Sequence, residues 1–190
     1  MDRGSRQLEA VSRMAKFSTI IFGVFATAIG TFGVASAQES TNRVDAKTDW
    51  SIFVEDNPTE CWVVSAPKGT VNTKDGKIVA VNRGDILFFV AYRPGTNVSG
   101  EISFTGGYTF REGTTVNMRV GSASYELFVD GEWAWPASDV EDTKIATSMK
   151  RGASAVLTAT SSRGTTTEDT FSLLGFTAAL EEAERRCTTQ

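Results

Sequence analysis

Histidine is missing from all 190 residues. That absence removes Ser-His-Asp and Cys-His catalysis, histidine-based zinc sites and histidine pH switches together. Cysteine occurs only twice. Neither cysteine belongs to a Cys-x-x-Cys pair, and no imidazole exists to activate a thiolate, so a catalytic thiol has no support. A Walker loop, a dinucleotide-binding glycine pattern and a Gly-x-Ser-x-Gly elbow are also lacking. No cofactor and no metal site is expected. Basic residues do not predominate either: 19 Lys and Arg stand against 23 Asp and Glu, a net charge of −4. An acidic chain without a basic stripe argues against nucleic acid and anionic membrane as main partners.

One long hydrophobic run is present, at the N-terminus. Arg13 and Lys16 precede it, Phe17 to Val34 is uncharged, and Ala35-Ser36-Ala37 ends it. This order predicts an export signal over residues 1–37, with Gln38 as the first mature residue and Met14 as an alternative start. The run is at the lower limit of what spans a bilayer, so an uncleaved anchor is the alternative; after cleavage no membrane span is expected. Residues 1–37 hold four basic and two acidic side chains, so cleavage would leave the remainder two charges more negative. Gln38–Thr48 is polar and aperiodic and reads as a flexible leader, and residues 49–190 as one domain.

Two cysteines in an exported chain predict one disulfide, Cys61–Cys187. Phe176, Ala179, Leu180, Ala183 and Cys187 fall at helical spacing on one face. The second cysteine therefore points with an apolar stripe into the body of the protein.

From Trp50 to the terminal helix the chain reads as short strands. Trp50–Val54 and Cys61–Ser65 come first, with Trp62 read as core packing against the bridge. Lys77–Val81 and Asp85–Tyr92 are predicted to form a hairpin about Asn82-Arg83-Gly84. Ile86–Val90 is apolar on both faces and is expected at the centre of a sheet. Gly106-Gly107-Tyr108 marks a bend or a close backbone approach. Thr115–Val120 and Ser124–Val129 alternate with period two, and Phe128 adds an apolar group to the outer face. Asp130-Gly131 is a hairpin signal leading into Glu132–Trp135. Ser138, with Glu141 three residues on, opens a helix that Gly152 stops. Ala153–Thr160 and Thr166–Leu173 are the last strands before the terminal helix. This pattern predicts a mainly β, single-domain antiparallel sandwich or flattened barrel with two short helices.

Four features invite a functional reading. Trp133 and Trp135 share one face of a strand and could stack on sugar rings, or serve core or interface packing. Asp139, Glu141 and Asp142 could bind calcium or act as a carboxylate pair in a hydrolase, although a charged first helical turn explains them better. Glu168-Asp169 reads as a solvated pair. Arg83-Gly84-Asp85 spells the tripeptide that integrins recognise, but a turn made by Gly84 is the stronger reading.

Several blocks then resemble, in order, the invasion-associated locus B family of bacterial exported proteins. They are Glu60-Cys61-Trp62-Val63-Val64-Ser65, Asn82-Arg83-Gly84-Asp85, Gly106-Gly107-Tyr108, Ala134-Trp135, Met149-Lys150-Arg151-Gly152, Ser161-Ser162-Arg163-Gly164-Thr165 and Asp169-Thr170-Phe171-Ser172-Leu173, followed by Cys187. The resemblance implies a β-rich periplasmic, surface or secreted protein of a Gram-negative bacterium, in a family named for host-cell invasion, with no catalytic residue to carry over. The expectation is a non-enzymatic envelope protein that binds another protein or envelope component; the alternative is a carbohydrate-binding module using Trp133 and Trp135.

Overall fold

Alternation of side chains along the strands decides what faces inward. In the computed structural model, which describes residues 42–57 and 59–188, Trp50 and Ile52 are buried while Ser51 and Phe53 are not. Cys61, Val63 and Ser65 are buried while Trp62 and Val64 lie half-exposed between them. The same period of two recurs in most strands, as expected of a sheet with one face on a core.

Twelve antiparallel strands form among the described residues: β1 (Arg43–Lys47), β2 (Trp50–Asp56), β3 (Thr59–Ser65), β4 (Gly69–Lys74), β5 (Lys77–Ile78), β6 (Leu87–Arg93), β7 (Val98–Thr105), β8 (Thr115–Val120), β9 (Ala123–Asp130), β10 (Trp133–Trp135), β11 (Ser154–Thr160) and β12 (Thr166–Ser172). They make one continuous sheet in the order β1-β2-β3-β6-β7-β10-β9-β8-β11-β12-β4-β5, which is not closed into a barrel. The sheet curls until distant strands face each other. Phe171 of β12 lies 5.6 Å from Phe88 of β6 and 6.1 Å from Phe104 of β7, centroid to centroid. The Trp50 indole N–H of β2 donates to the carbonyl of Ser172 across the same core, at 3.0 Å.

Two α-helices complete the fold among the described residues, α1 (Asp139–Met149) and α2 (Phe176–Thr188), and both bury apolar residues in this core. Ser138 caps α1 by accepting from the Glu141 amide at 3.4 Å. Asp142 is almost fully buried, and its carboxylate accepts the amide N–H of Ile102 at 3.1 Å. Strand β10 is only three residues long and pairs with β7 at Phe104 and Thr105. Beyond it the amide of Ile102 would be a buried orphan, and the helical carboxylate takes the place of the missing strand. The acids of this first turn are thus not gathered together: Asp142 points at the sheet, and Glu141 pairs with Lys144 at 2.7 Å. Helix α2 buries Phe176, Ala179, Leu180, Ala183 and Cys187, the stripe read from its spacing.

Three expectations need correction. Residues 43–47 are not part of a flexible leader but an edge strand on β2, whose charged side chains suit an edge. The hairpin about Asn82-Arg83-Gly84 does not form. Instead β4 and β5 turn at Asp75-Gly76, with φ of 51° and 74° as a tight primed turn needs, and residues 79–86 are an irregular connection to β6. Asp85, expected to start a strand, is exposed in that connection. Trp62 does not pack in the core; with Cys61 pointing inward its neighbour must point outward, where it stacks on Phe53 at 5.4 Å.

Candidate functional site

Strands β2, β3, β6, β10 and β9 carry aromatic side chains on the outer face of the sheet. Alternation forces them there: Phe53, Trp62, Phe89, Phe128, Trp133 and Trp135 each neighbour an inward residue along their strand. Pairing then aligns them across strands. Phe53 is opposite Trp62, and Phe128 is opposite Trp135. Trp133 lies 5.7 Å from Phe89 and 6.3 Å from Trp135, the two indole planes within 23° of parallel. Strand β7 runs beneath this group with only Ser103 and Thr105 facing outward there. Phe128 is 53 % exposed and Trp133 38 %. Both helices pack on the core side, so neither covers this face. The outer face of β8, β11 and β12 is different: it carries Asn117, Arg119, Thr158 and Glu168, with Arg119 facing Glu168 at 3.9 Å.

The sequence-predicted site residues therefore fall in two places. Trp133 and Trp135 stand together on the outer face, with Ala134 between them in the core. Cys61 and Cys187 are bonded at the core end of α2, with Cα atoms 5.8 Å apart. The disulfide ties α2 to β3, and Phe176 at the other end of the helix packs edge-on against Trp50 at 4.8 Å.

A second cluster forms where the connection 79–86 crosses the end of the sheet. The Arg83 guanidinium donates to both carboxylate oxygens of Asp169, at 2.8 and 2.6 Å, and to the carbonyl of Gly106 at 2.8 Å. The Arg83 side chain is 6 % exposed and that of Asp169 0 %. The ring of Tyr108 covers the guanidinium at 5.0 Å, and its hydroxyl bonds that of Thr167 at 2.6 Å. Burial pushes the Asp169 carboxyl above its ordinary range, and the Arg83 hydrogen bonds pull against that rise. Burial likewise raises the Tyr108 phenol, with Thr167 and Arg83 opposing. Gly107 makes the crossing possible: a Cβ there would sit 2.4 Å from the Gly84 carbonyl oxygen, and the Gly84 N–H donates to the Gly107 carbonyl at 2.9 Å. Beside this cluster lies a cavity of about 300 Å³ lined by Asn82, Tyr108, Ser162 and Arg163 among others.

One further expectation is corrected here. Asp169 is not half of a solvated pair; Glu168 faces solvent and Asp169 the core. Its signal was its position, two residues from Thr167 and Phe171 on the inward side of β12. The Arg-Gly-Asp tripeptide presents no free arginine, because Arg83 is consumed by Asp169. Phe89 was missed as part of the outer face because β6 reads as apolar on both sides.

The family model "Invasion associated locus B (IalB) protein" matches residues 50–184. Neither the curated proteins nor the solved structures give a match.

Proposed function

We propose that this chain, which belongs to the invasion associated locus B family, works outside the cytoplasm by binding another component of the cell envelope or surface, and not by catalysis. The aromatic band on the outer face carries the reading. Exposed rings such as Phe128 and Trp133, set among half-buried aromatics on a face that neither helix covers, are what interaction sites present. The Cys61–Cys187 bond supports an oxidising compartment, and the export signal read from residues 1–37 supports secretion into it. A second reading, the carbohydrate-binding module, is favoured by the near-parallel indoles of Trp133 and Trp135.

The test places a photoreactive phenylalanine at Phe128 or at Arg119 of the full chain in intact cells. Both positions are exposed, but only the first lies on the aromatic band. Adducts formed at 128 and not at 119 are the expected result. Equal labelling at the two positions, or none at either, would count against the band as the recognition surface.

A further inference from the structure

The aromatic band is bordered by carboxylates. Asp130 is directly opposite Trp133 across the β9–β10 hairpin and points outward with it. Glu126 lies two residues from Phe128 on the same face of β9, and Glu132 precedes Trp133 at the exposed turn. None of the three is in an ion pair among the described residues; Arg93 is engaged with Glu60 and Glu101 and Arg119 with Glu168, while Arg43, in register with Phe53, lies on β1 at the opposite edge of the band. The surface thus combines flat apolar rings with hydrogen-bond acceptors of negative charge. A second copy would set like charges against one another there, and an anionic lipid surface would be repelled. A matching ligand needs apolar C–H faces about as wide as an indole, with outward O–H or N–H donors.

Resting on the reading that this face is the binding surface, we propose that it holds a linear saccharide of neutral or amine-bearing sugars. The C–H faces of successive rings lie against the Trp133–Trp135 pair and Phe128, and their hydroxyl or amino groups donate to Asp130 and Glu126. The two indoles stack on each other at 6.3 Å and form one aromatic block, from which the bound chain continues across β9 to Phe128, the residue opposite Trp135. Uronate or sulfated saccharides are excluded by the acidic border.

The four indole N–H groups of the chain give a direct readout by nuclear magnetic resonance, because Trp50 is fully buried and serves as an internal control. The oxidised protein is titrated with three tetramers: N-acetylglucosamine, glucosamine and galacturonate. The neutral and amine tetramers are expected to move the Trp133 and Trp135 signals saturably while Trp50 stays fixed, and galacturonate to move neither. Phe128→Ala and Trp135→Ala should each weaken binding about tenfold or more, as loss of a central aromatic contact does. The pair Asp130→Asn with Glu126→Gln should erase any preference for glucosamine over its N-acetylated form. Binding of galacturonate as tight as the others, unchanged affinity in the aromatic variants, or no saturable shift at millimolar tetramer would overturn the proposal. If Phe128 still cross-links in cells while no tetramer binds, the saccharide falls and the broader binding function stands.

Discussion

Removing Arg83 tests how the connection 79–86 is held across the end of the sheet. In Arg83→Ala the Asp169 carboxylate keeps its burial and loses both guanidinium hydrogen bonds. The Gly106 carbonyl loses a donor, and the Tyr108 ring loses the cation against its face. Each hydrogen bond to a charged group contributes about 1.5–3 kcal/mol, and breaking one side of a buried pair costs about 3–5 kcal/mol because the other charge is stranded. That range is a large part of the stability of a single domain. The loss also has a pH signature. Without Arg83, burial and the Glu168 charge act unopposed on Asp169 and raise its folded pKa further. The folded variant then binds a proton that the unfolded chain has released, so its stability falls as pH rises through that window. The deficit against the parent should therefore be larger at pH 8 than at pH 4.5. Adding Asp169→Leu to an Arg83→Met variant should recover much of the loss, because an apolar pair leaves no stranded charge. Urea unfolding followed by tryptophan fluorescence, at both pH values, measures all three. A loss below about 1 kcal/mol in Arg83→Ala, with no dependence on pH, would refute the account of this pair as a buried and mutually dependent clamp.

Other perturbations have outcomes set by the same kinds of contact. Leu180 is 4 % exposed on the docked face of α2, so Leu180→Ala should cost about 2–5 kcal/mol; an unchanged melting midpoint in the oxidised protein would show that the helix does not hold the fold. Protein taken from the envelope should give no labelled thiol under denaturing, non-reducing conditions, and a variant lacking both cysteines should lose up to about 5 kcal/mol, the chain-entropy value for a bridge spanning 126 residues. A short Arg-Gly-Asp peptide should not compete for any attachment of this protein to host cells, since Arg83 faces Asp169; competition that also requires Arg83 would contradict that burial. Hydrogen bonds from Arg185 and Arg186 hold the Glu182 carboxyl below its ordinary range. The stability this contributes is present above the ordinary glutamate pKa and lost as pH falls through the lower folded one. Glu182→Gln should then lower the melting midpoint at pH 7 and have little effect near pH 2.5; an equal drop at both would exclude the ion pair as the cause.

Much of this architecture was readable because period and punctuation are local. The α2 stripe, the Ser138 cap, the Asp130-Gly131 hairpin and the bend at Gly107 each rest on residues within a few positions of one another. The failures have a common physical cause: they depended on which element lies opposite. Asn82-Arg83-Gly84 has the composition of a hairpin turn, but Arg83 is drawn across the end of the sheet by a carboxylate 86 residues away. Asp169 beside Glu168 looks like one charged patch until alternation assigns them to opposite faces, and only the buried one needs a partner. Trp62 beside a half-cystine suggested packing on the bridge, yet the bond itself sends the indole to the other side.

The aromatic face is the hardest of these cases. A strand that is apolar on both sides, such as Leu87–Arg93, has two explanations in an antiparallel sheet. It can be sandwiched between two layers, or it can be covered on one side and offer the other to a ligand. Composition does not separate them, since either way the outward Phe89 reads as core. Strand order does. Strand β6 is central, between β3 and β7, but the sheet curls toward one side only and both helices follow it there. The opposite side of β6 is left with no second layer among the described residues. Phe89 then meets Trp133 from β10, and Phe128 meets Trp135, and residues from separate hairpins become one surface. Had a helix crossed that side, the same residues would have been core, and Asp130 and Glu126 would have needed partners as Asp169 does. Their lack of ion pairs among the described residues, beside Phe128 and Trp133 open to solvent, is what distinguishes a face built for contact from one built for burial.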